Sequence, residues 1–299
     1  MTKRLDEKQV SKTVNEKKHK HSWAKIPNEL KIKCVCGRIE DIDNELHVLS
    51  FGGGIDTCYM LFKYDYDIIV HSDIANGDRE HGEYDITYWI LDNIVKPYCE
   101  KKGIALWITT HPKGGVFERA INEKKLPVIS RRWCTQDHKI DLNTQAIRKG
   151  LDANFPDNVI VSDIGFSYDE YWRSDGKGSK VKYNPLDYPL VNDKITRQDC
   201  INWLNENHPI IMNDNKIDWK DAKSGCWFCP NWNVSKLKEL SRERKEELVK
   251  MEENSAHNLT FKKKPMKIVL GLDSHSLMEW SEEDEEQDTQ RCNSGVCFT

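Results

Sequence analysis

HVLSFGGGIDTCYML, residues 47–61, runs from a short apolar stretch into three glycines and then into a stretch of helical character. HVLSF reads as a buried strand, because a short apolar run ending in turn residues fits the interior of a parallel sheet. Gly52, Gly53 and Gly54 lack a Cβ, so backbone N–H groups there can approach an anion closely. A helix that starts just after them adds unpaired N–H groups and the positive end of its dipole. Ser50 and Thr57 offer hydroxyls to phosphate oxygens, and Asp56 can cap the helix or orient a phosphate-bound metal ion. No Gly-Lys-Ser/Thr follows, and the glycines lack dinucleotide spacing, so neither common nucleotide fingerprint is present. On the residues alone, the triplet is either a phosphate cradle or a tight strand–helix turn.

The flanking sequence repeats the same rhythm. DIIVHSD (67–73), IALWITT (104–110) and NVIVSDIGFS (158–167) read as further strands. EYDITYWILDNIVKPYCEKKG (83–103) has helical spacing and a stop at Gly103, and a second helical stretch lies near residues 140–153. Strand and helix in alternation predict parallel strands joined by crossovers. The expected fold is therefore α/β, a doubly wound parallel sheet over residues 46–215. Residues 1–45 read as a basic N-terminal extension with a Cys-x-Cys. Residues 216–299 read as a Cys-rich, helical region with an acidic tail, EWSEEDEEQD. VSKLKELSRERKEELVKMEENSAH (234–257) reads as one exposed, charge-paired helix.

Composition narrows the class. The 299 residues include 38% hydrophobic and 31% charged side chains, with 10 Trp, 10 Tyr and 8 Phe, which fits a folded protein. The net charge of −4 excludes a uniformly basic nucleic-acid binder. The first 33 residues hold ten Lys or Arg against Asp6, Glu7, Glu16 and Glu29. That segment reads either as a solvated arm or as a phosphate-contacting one. No apolar run is long enough to span a bilayer and no signal core opens the chain, so a cytoplasmic protein without membrane contact is expected. Ten Cys in a reducing compartment point to a metal or to sulfur chemistry.

SFGGGIDT resembles the pyrophosphate loop of the adenine-nucleotide α-hydrolase (PP-loop ATP pyrophosphatase) superfamily, Ser-x-Gly-Gly-x-Asp-Ser/Thr. Further segments are similar, in order, to its phosphoadenosine-phosphosulfate (PAPS) reductase-like branch: HSDIANGDREHGEY (71–84), RRWCTQDHKI (131–140), GFSYDEYWR (165–173), YPLVNDKITRQDCINWL (188–204) and SGCWFCP (224–230). The chain departs from the pattern at Asp141, where a Pro is common, and in a longer second-strand motif without its Thr-Gly pair.

The resemblance implies a nucleotide site of Ser50, Gly52, Gly53, Gly54, Asp56, Thr57, Asp73, Gly165, Glu170 and Arg173, taking ATP with Mg²⁺. It implies a reacting centre of Asp56, Arg132, Cys134 and Lys139. Cations around Cys134 can bind phosphate or sulfate and lower a thiol pKa. Cys226-Trp-Phe-Cys229 is a CxxC turn that, with one more soft ligand, can hold Zn²⁺ or an iron–sulfur cluster. By resemblance that ligand is Cys134 and the group a [4Fe–4S] cluster; reactive or purely structural thiols remain open. Cys292 and Cys297 could complete this site. Alternatively they could join Cys34 and Cys36 in a separate zinc site.

Three functions are carried forward. The first is an ATP pyrophosphatase that adenylylates a tRNA or DNA acceptor for sulfur insertion, supplied by a cysteine desulfurase or a thioredoxin-like donor. The second is a PAPS or adenylyl-sulfate reductase; the Glu-Cys-Gly-Leu/Ile-His tail that carries the nucleophile of such enzymes is absent, and CNSGVC (292–297) stands there instead. The third is a non-catalytic nucleotide-sensing subunit.

Overall fold

The computed structural model describes residues 22–27, 29–42, 45–129, 132–154, 159–175, 178, 184–222, 224–256 and 259–272. Its main sheet contains strands β1 (Trp23–Lys25), β2 (Lys31–Cys34), β3 (Ile39–Asp41), β4 (Glu45–Phe51), β5 (Ile68–Asp73), β6 (Ala105–Thr110), β7 (Val159–Asp163) and β8 (Leu186–Asp187). The spatial order is β3-β2-β1-β8-β7-β4-β5-β6. From β8 to β6 every pairing is parallel, whereas β1–β2 and β2–β3 are antiparallel. The fold is α/β, as expected, but the sheet is mixed rather than purely parallel. It also continues past residue 46 into the N-terminal segment: β1 joins β8 through Ala24 and Leu186.

Helices α1 (Ile55–Lys63), α2 (Asp85–Ile90), α3 (Lys96–Lys102), α4 (Val116–Asn122), α5 (Trp133–Thr135) and α6 (Leu142–Asn154) follow the parallel strands. A π-helical turn at Leu91–Val95 joins α2 to α3. It lies just before Pro97, which lacks an N–H donor and would clash with the preceding turn in an uninterrupted α-helix. Gly103 ends α3 in the left-handed region, φ 72°.

Alternation along the strands splits the core between the two faces of the sheet. Leu49, Phe51 and Ile69 pack with Met60 and Leu61 of α1, Ile90 of α2 and Leu204 of α8 (Arg197–Asn207, after α7, Pro189–Asn192). Val48, Ile68, Val70 and Ile160 pack on the other face with Ile147 of α6. Both faces are therefore covered, which explains why these strands read as nearly unbroken apolar runs. His47 of β4 and Asp163 of β7 lie 3.2 Å apart, and the hydrogen bond to Asp163 holds the His47 imidazole pKa up to about 9.

The last third builds a satellite core. A hairpin, β9 (Ile210–Met212) and β10 (Asn215–Ile217), precedes helices α9 (Val234–Lys238), α10 (Arg242–Glu253) and α11 (Met266–Val269). The single exposed helix expected over 234–257 is two helices. Ser241 caps α10 by accepting from the Arg244 N–H, which starts a new helix there. α10 is not wholly exposed: Leu248 and Met251 pack with Trp227, Phe228 and Val116.

Candidate functional site

The chain proceeds from β4 to β5 and β6 on one side, then returns to β7 on the other side of β4. Strand order reverses at β4, and the crevice at the carboxyl ends of such strands is where open α/β sheets hold ligands. The glycine loop sits there. Gly54 is the N-cap of α1 in extended backbone, with no side chain capping it. The first N–H groups of α1 are therefore left to other partners. The Thr57 hydroxyl donates to the Gly54 carbonyl at 3.0 Å.

Gly53 has φ 73°, and a Cβ there would lie 2.6 Å from Thr87 Cγ2. Gly53→Ala is expected to destabilise the fold by about 2 kcal/mol, from left-handed backbone plus overpacking. Adding Thr87→Ser, which removes the clashing methyl, should recover only part of that. Urea unfolding of the three chains measures it; a wild-type midpoint for Gly53→Ala would contradict this loop geometry. Gly165 serves on the opposite wall, where a Cβ would lie 2.8 Å from Thr57 Cγ2.

Asp56 is 6% exposed, and its Oδ1 finds no hydrogen-bond partner among the described residues. Its Oδ2 accepts from Arg197 Nη1 at 3.2 Å. Burial pushes the Asp56 carboxyl up to about 6, against the pull of Arg197. Asp169 and Glu170 open a 3-10 turn, Tyr168–Arg173. The Asp169 carboxylate accepts the Arg197 N–H at 2.7 Å, and Glu170 pairs with Arg173 at 2.5 Å. Arg173 lies over the Phe166 ring, 4.1 Å from its centroid. Sequence reading missed Arg197. Its helix start is legible as a capping box, Thr196 with Asp199, but the reach to Asp56 depends on how α8 packs on α1.

A second group lies behind the loop. The Glu83 backbone forms an antiparallel bridge with Cys226, and the Tyr84 N–H donates to the Gly225 carbonyl at 3.0 Å. Glu83 is 2% exposed, with Oε1 3.5 Å from Lys139 Nζ and Oε2 lacking a partner among the described residues. Burial pulls Lys139 down, but Glu83 and the sulfurs of Cys226, Cys134 and Cys229 more than offset this, so its pKa is raised. Burial raises the thiols of Cys134, Cys226 and Cys229, with Arg132 and Lys139 opposing the rise at Cys134 and Cys229. Lys139 thus acts on all three thiols, Cys134, Cys226 and Cys229, and Arg132 on Cys134 and Cys229. The same Glu83 also borders the loop: a Cβ on Gly53 would lie 3.9 Å from its Oε2.

Lys139 sits on a π-helical turn, Gln136–Asp141, between α5 and α6. Arg119 of α4 anchors that turn. It is buried, meets His138 Nε2 at 2.9 Å and Asp137 at 3.2 Å, pairs with Glu123 at 2.9 Å, and covers the Trp133 ring. Burial, with His111 and Arg119 adding to it, pulls His138 down to about 3, so it is a neutral acceptor.

Ser50 lies at the end of β4, 3.5 Å from Asn143 Nδ2, while Asn143 Oδ1 accepts from Ser72 and Thr109 at 2.7 and 3.2 Å. Asp73 uses its carboxylate on its own turn, accepting the Ala75 and Gly77 N–H groups at 3.0 and 2.8 Å. Cys34 is buried at the end of β2 and Cys36 is exposed in the turn to β3. Their suggested partners Cys292 and Cys297 lie outside the described residues, as does the acidic tail. Among the described residues, no three His, Cys, Asp or Glu side chains stand in metal-holding geometry, and no helix is long and apolar enough to cross a membrane. No protein-family model matches the chain, and no curated protein matches its sequence.

Proposed function

We propose that this chain is an ATP pyrophosphatase of the PP-loop type that adenylylates a nucleic-acid acceptor for sulfur insertion. The observation that carries the reading is a shared wall. Glu83 borders the glycine loop on one side and holds Lys139 beside Cys134, Cys226 and Cys229 on the other. A phosphate-binding loop and a group of thiols that share Glu83 as a neighbour suit a reaction with a nucleotide half and a sulfur half.

The loop N–H groups and the α1 dipole bind the ATP phosphates. An acceptor oxygen attacks the α-phosphorus and pyrophosphate leaves; sulfide-level sulfur from the donor then attacks the acceptor atom that bears the adenylylated oxygen, forming the bond to sulfur as the bond to that oxygen breaks and AMP departs. Lys139 and Arg132 supply positive charge where negative charge develops. Mg²⁺ carried with the phosphates neutralises charge when bound. The buried, unpartnered Asp56 Oδ1 fits a carboxylate facing it. Cys134, Cys226 and Cys229 offer the soft donors that Zn²⁺ or an iron–sulfur cluster takes, but their side chains do not stand in metal-holding geometry, and no step is routed through such a group.

The test is product analysis. The chain is incubated with Mg²⁺ and ATP, with and without tRNA or DNA acceptors, and pyrophosphate is separated from orthophosphate. Acceptor-dependent pyrophosphate release is expected. Sulfite from PAPS with thioredoxin, or nucleotide binding without any product, would replace this reading with reduction or with sensing.

A further inference from the structure

Arg197 is the first residue of α8, and its main chain is pinned on several sides. Thr196 and Asp199 form the capping box around it, and the Asp169 carboxylate accepts its N–H at 2.7 Å. Two residues before it, the Ile195 carbonyl accepts the Tyr168 N–H at 2.7 Å. Its head is held differently. The side chain is 43% exposed, and the 3.2 Å bond from Nη1 to Asp56 Oδ2 is the guanidinium's only hydrogen bond among the described residues. Most of its N–H donors are therefore left over.

The carboxylate it holds is only half used. Asp56 is 6% exposed, Oδ2 takes the Arg197 bond, and Oδ1 has no partner among the described residues. It stands in the first turn of α1, a nine-residue helix whose N-terminus no side chain caps. A buried carboxylate oxygen is costly until a donor or a cation completes it. The charges that act most on Asp56 are Arg197, Glu170, Arg173 and Asp169. Asp56, Glu170 and Asp169 thus face two guanidiniums, and this end of α1 is negative by one charge. Asp199, bonded to the Thr196 N–H and hydroxyl, adds to that sign. A bare polyphosphate is repelled by such a group; one that arrives with a divalent cation is not.

We propose that Arg197 is an exchange clamp. Without ligand, its guanidinium takes a cation's place on Asp56. When a nucleotide binds with its divalent cation, the cation takes the Asp56 carboxylate and the guanidinium passes to the phosphates. This deepens the function proposed above and rests on its nucleotide. A pinned main chain and a singly bonded head suit the exchange, because only side-chain torsions change. A guanidinium fork also fits carboxylate and phosphate alike. Arg197 would further bring to the loop a positive charge that SFGGGIDT, with no Lys or Arg, does not carry itself.

The experiment measures binding by the full chain rather than turnover, at pH 8, with two probes. Mn²⁺ alone is followed by loss of the free-ion EPR signal, and ATP with Mg²⁺ by calorimetry. Arg197→Ala should move them in opposite directions. Mn²⁺ should bind at least about fivefold more tightly, because a like charge at contact distance is gone. ATP with Mg²⁺ should bind at least about tenfold more weakly, because a charge-assisted phosphate contact is lost. Adding Asp56→Asn to that chain should abolish the gained Mn²⁺ binding. Arg197→Lys keeps the charge and loses the fork, so Mn²⁺ affinity should stay within about twofold and ATP should weaken less than with Ala. A side chain that only holds the fold would weaken both ligands, and one that only blocks the site would tighten both. Either pattern, or no change in either affinity, overturns the clamp. A wild-type chain that binds no ATP overturns it together with the function proposed above. Opposed shifts in a chain that releases no pyrophosphate with any acceptor uphold the clamp and overturn adenylylation, so the two failures are separable.

Discussion

Asp56→Asn is expected to produce a more stable protein that no longer cleaves ATP. The near-isosteric amide keeps an oxygen for Arg197 but cannot face a phosphate-bound cation as a charge. Pyrophosphate release should fall at least about a hundredfold, the scale on which single transition-state contacts act. The stability gain follows from proton linkage. Burial raises the folded Asp56 carboxyl from 3.8 to about 6. A raised folded pKa means that its contribution is fully present below 3.8 and is lost as pH rises through about 6. At pH 8 the ionised carboxylate therefore costs the fold about 3 kcal/mol, at 1.36 kcal/mol per unit. The Asn variant escapes that cost, so its midpoint at pH 8 should lie about 5 °C above wild type. The difference should shrink toward zero near pH 3.5. Thermal scans from pH 3.5 to 8, paired with a pyrophosphate assay, read both effects. Full activity in the variant would remove Asp56 from the site; a midpoint below wild type at pH 8 would refute the buried-charge account.

Asp56 also shows why part of the site is legible in the sequence. A carboxylate in the first turn after three glycines has a local signature, and local signatures survive in sequence. The central strands are equally readable, because burial on both faces writes an apolar run in HVLSF, IIVHSD and VIVSD; the edge strand within IALWITT is apolar too, though only part-buried. β1, β2 and β3 are not readable as sheet. They are three or four residues long and interleaved with Lys25, Lys31 and Lys33, so their composition is that of a solvated arm. Their assignment depends on a partner, β8, that lies far away in the sequence.

The unread parts of the site share that non-local character. Arg197 reaches Asp56 across 141 residues, and Glu83 meets Cys226 and Lys139 only because the 224–230 turn folds onto the start of α2. Arg119 has no signature at all. It is a helix arginine in sequence, yet in the fold it is 4% exposed and organises the turn that carries Lys139. π-helical turns belong to the same class, since neither Leu91–Val95 nor Gln136–Asp141 differs in pattern from an α-helix. The hydroxyl of Thr57 adds a local case: it donates to the Gly54 carbonyl at 3.0 Å, a bond that motif resemblance does not report.

The thiol cluster supplies the other large expected effect. The Cys134, Cys226 and Cys229 thiols are raised by burial, so without a bound metal they are protonated and poor nucleophiles at neutral pH. Metal binding is the physical route by which buried thiols lose their protons. The described side chains do not stand in metal-holding geometry, so the metal content of protein purified without oxygen decides whether they close on an ion. About four irons per chain with a broad band near 400 nm mark a [4Fe–4S] cluster; one zinc marks a structural site. Cys226→Ser with Cys229→Ser should remove any such metal. The local turn should persist, because it is closed by the Cys229 N–H donating to the Cys226 carbonyl at 3.1 Å, a backbone bond that Ser preserves. ATP cleavage should then survive within a few-fold while sulfur insertion is lost, because the glycine loop does not depend on the two sulfurs. Metal analysis, the absorption spectrum and the two product assays on both chains decide it. A metal-free wild-type protein, or a double variant that still inserts sulfur, would take the cluster out of the chemistry and leave Lys139 and Glu83 as the working end of that crevice.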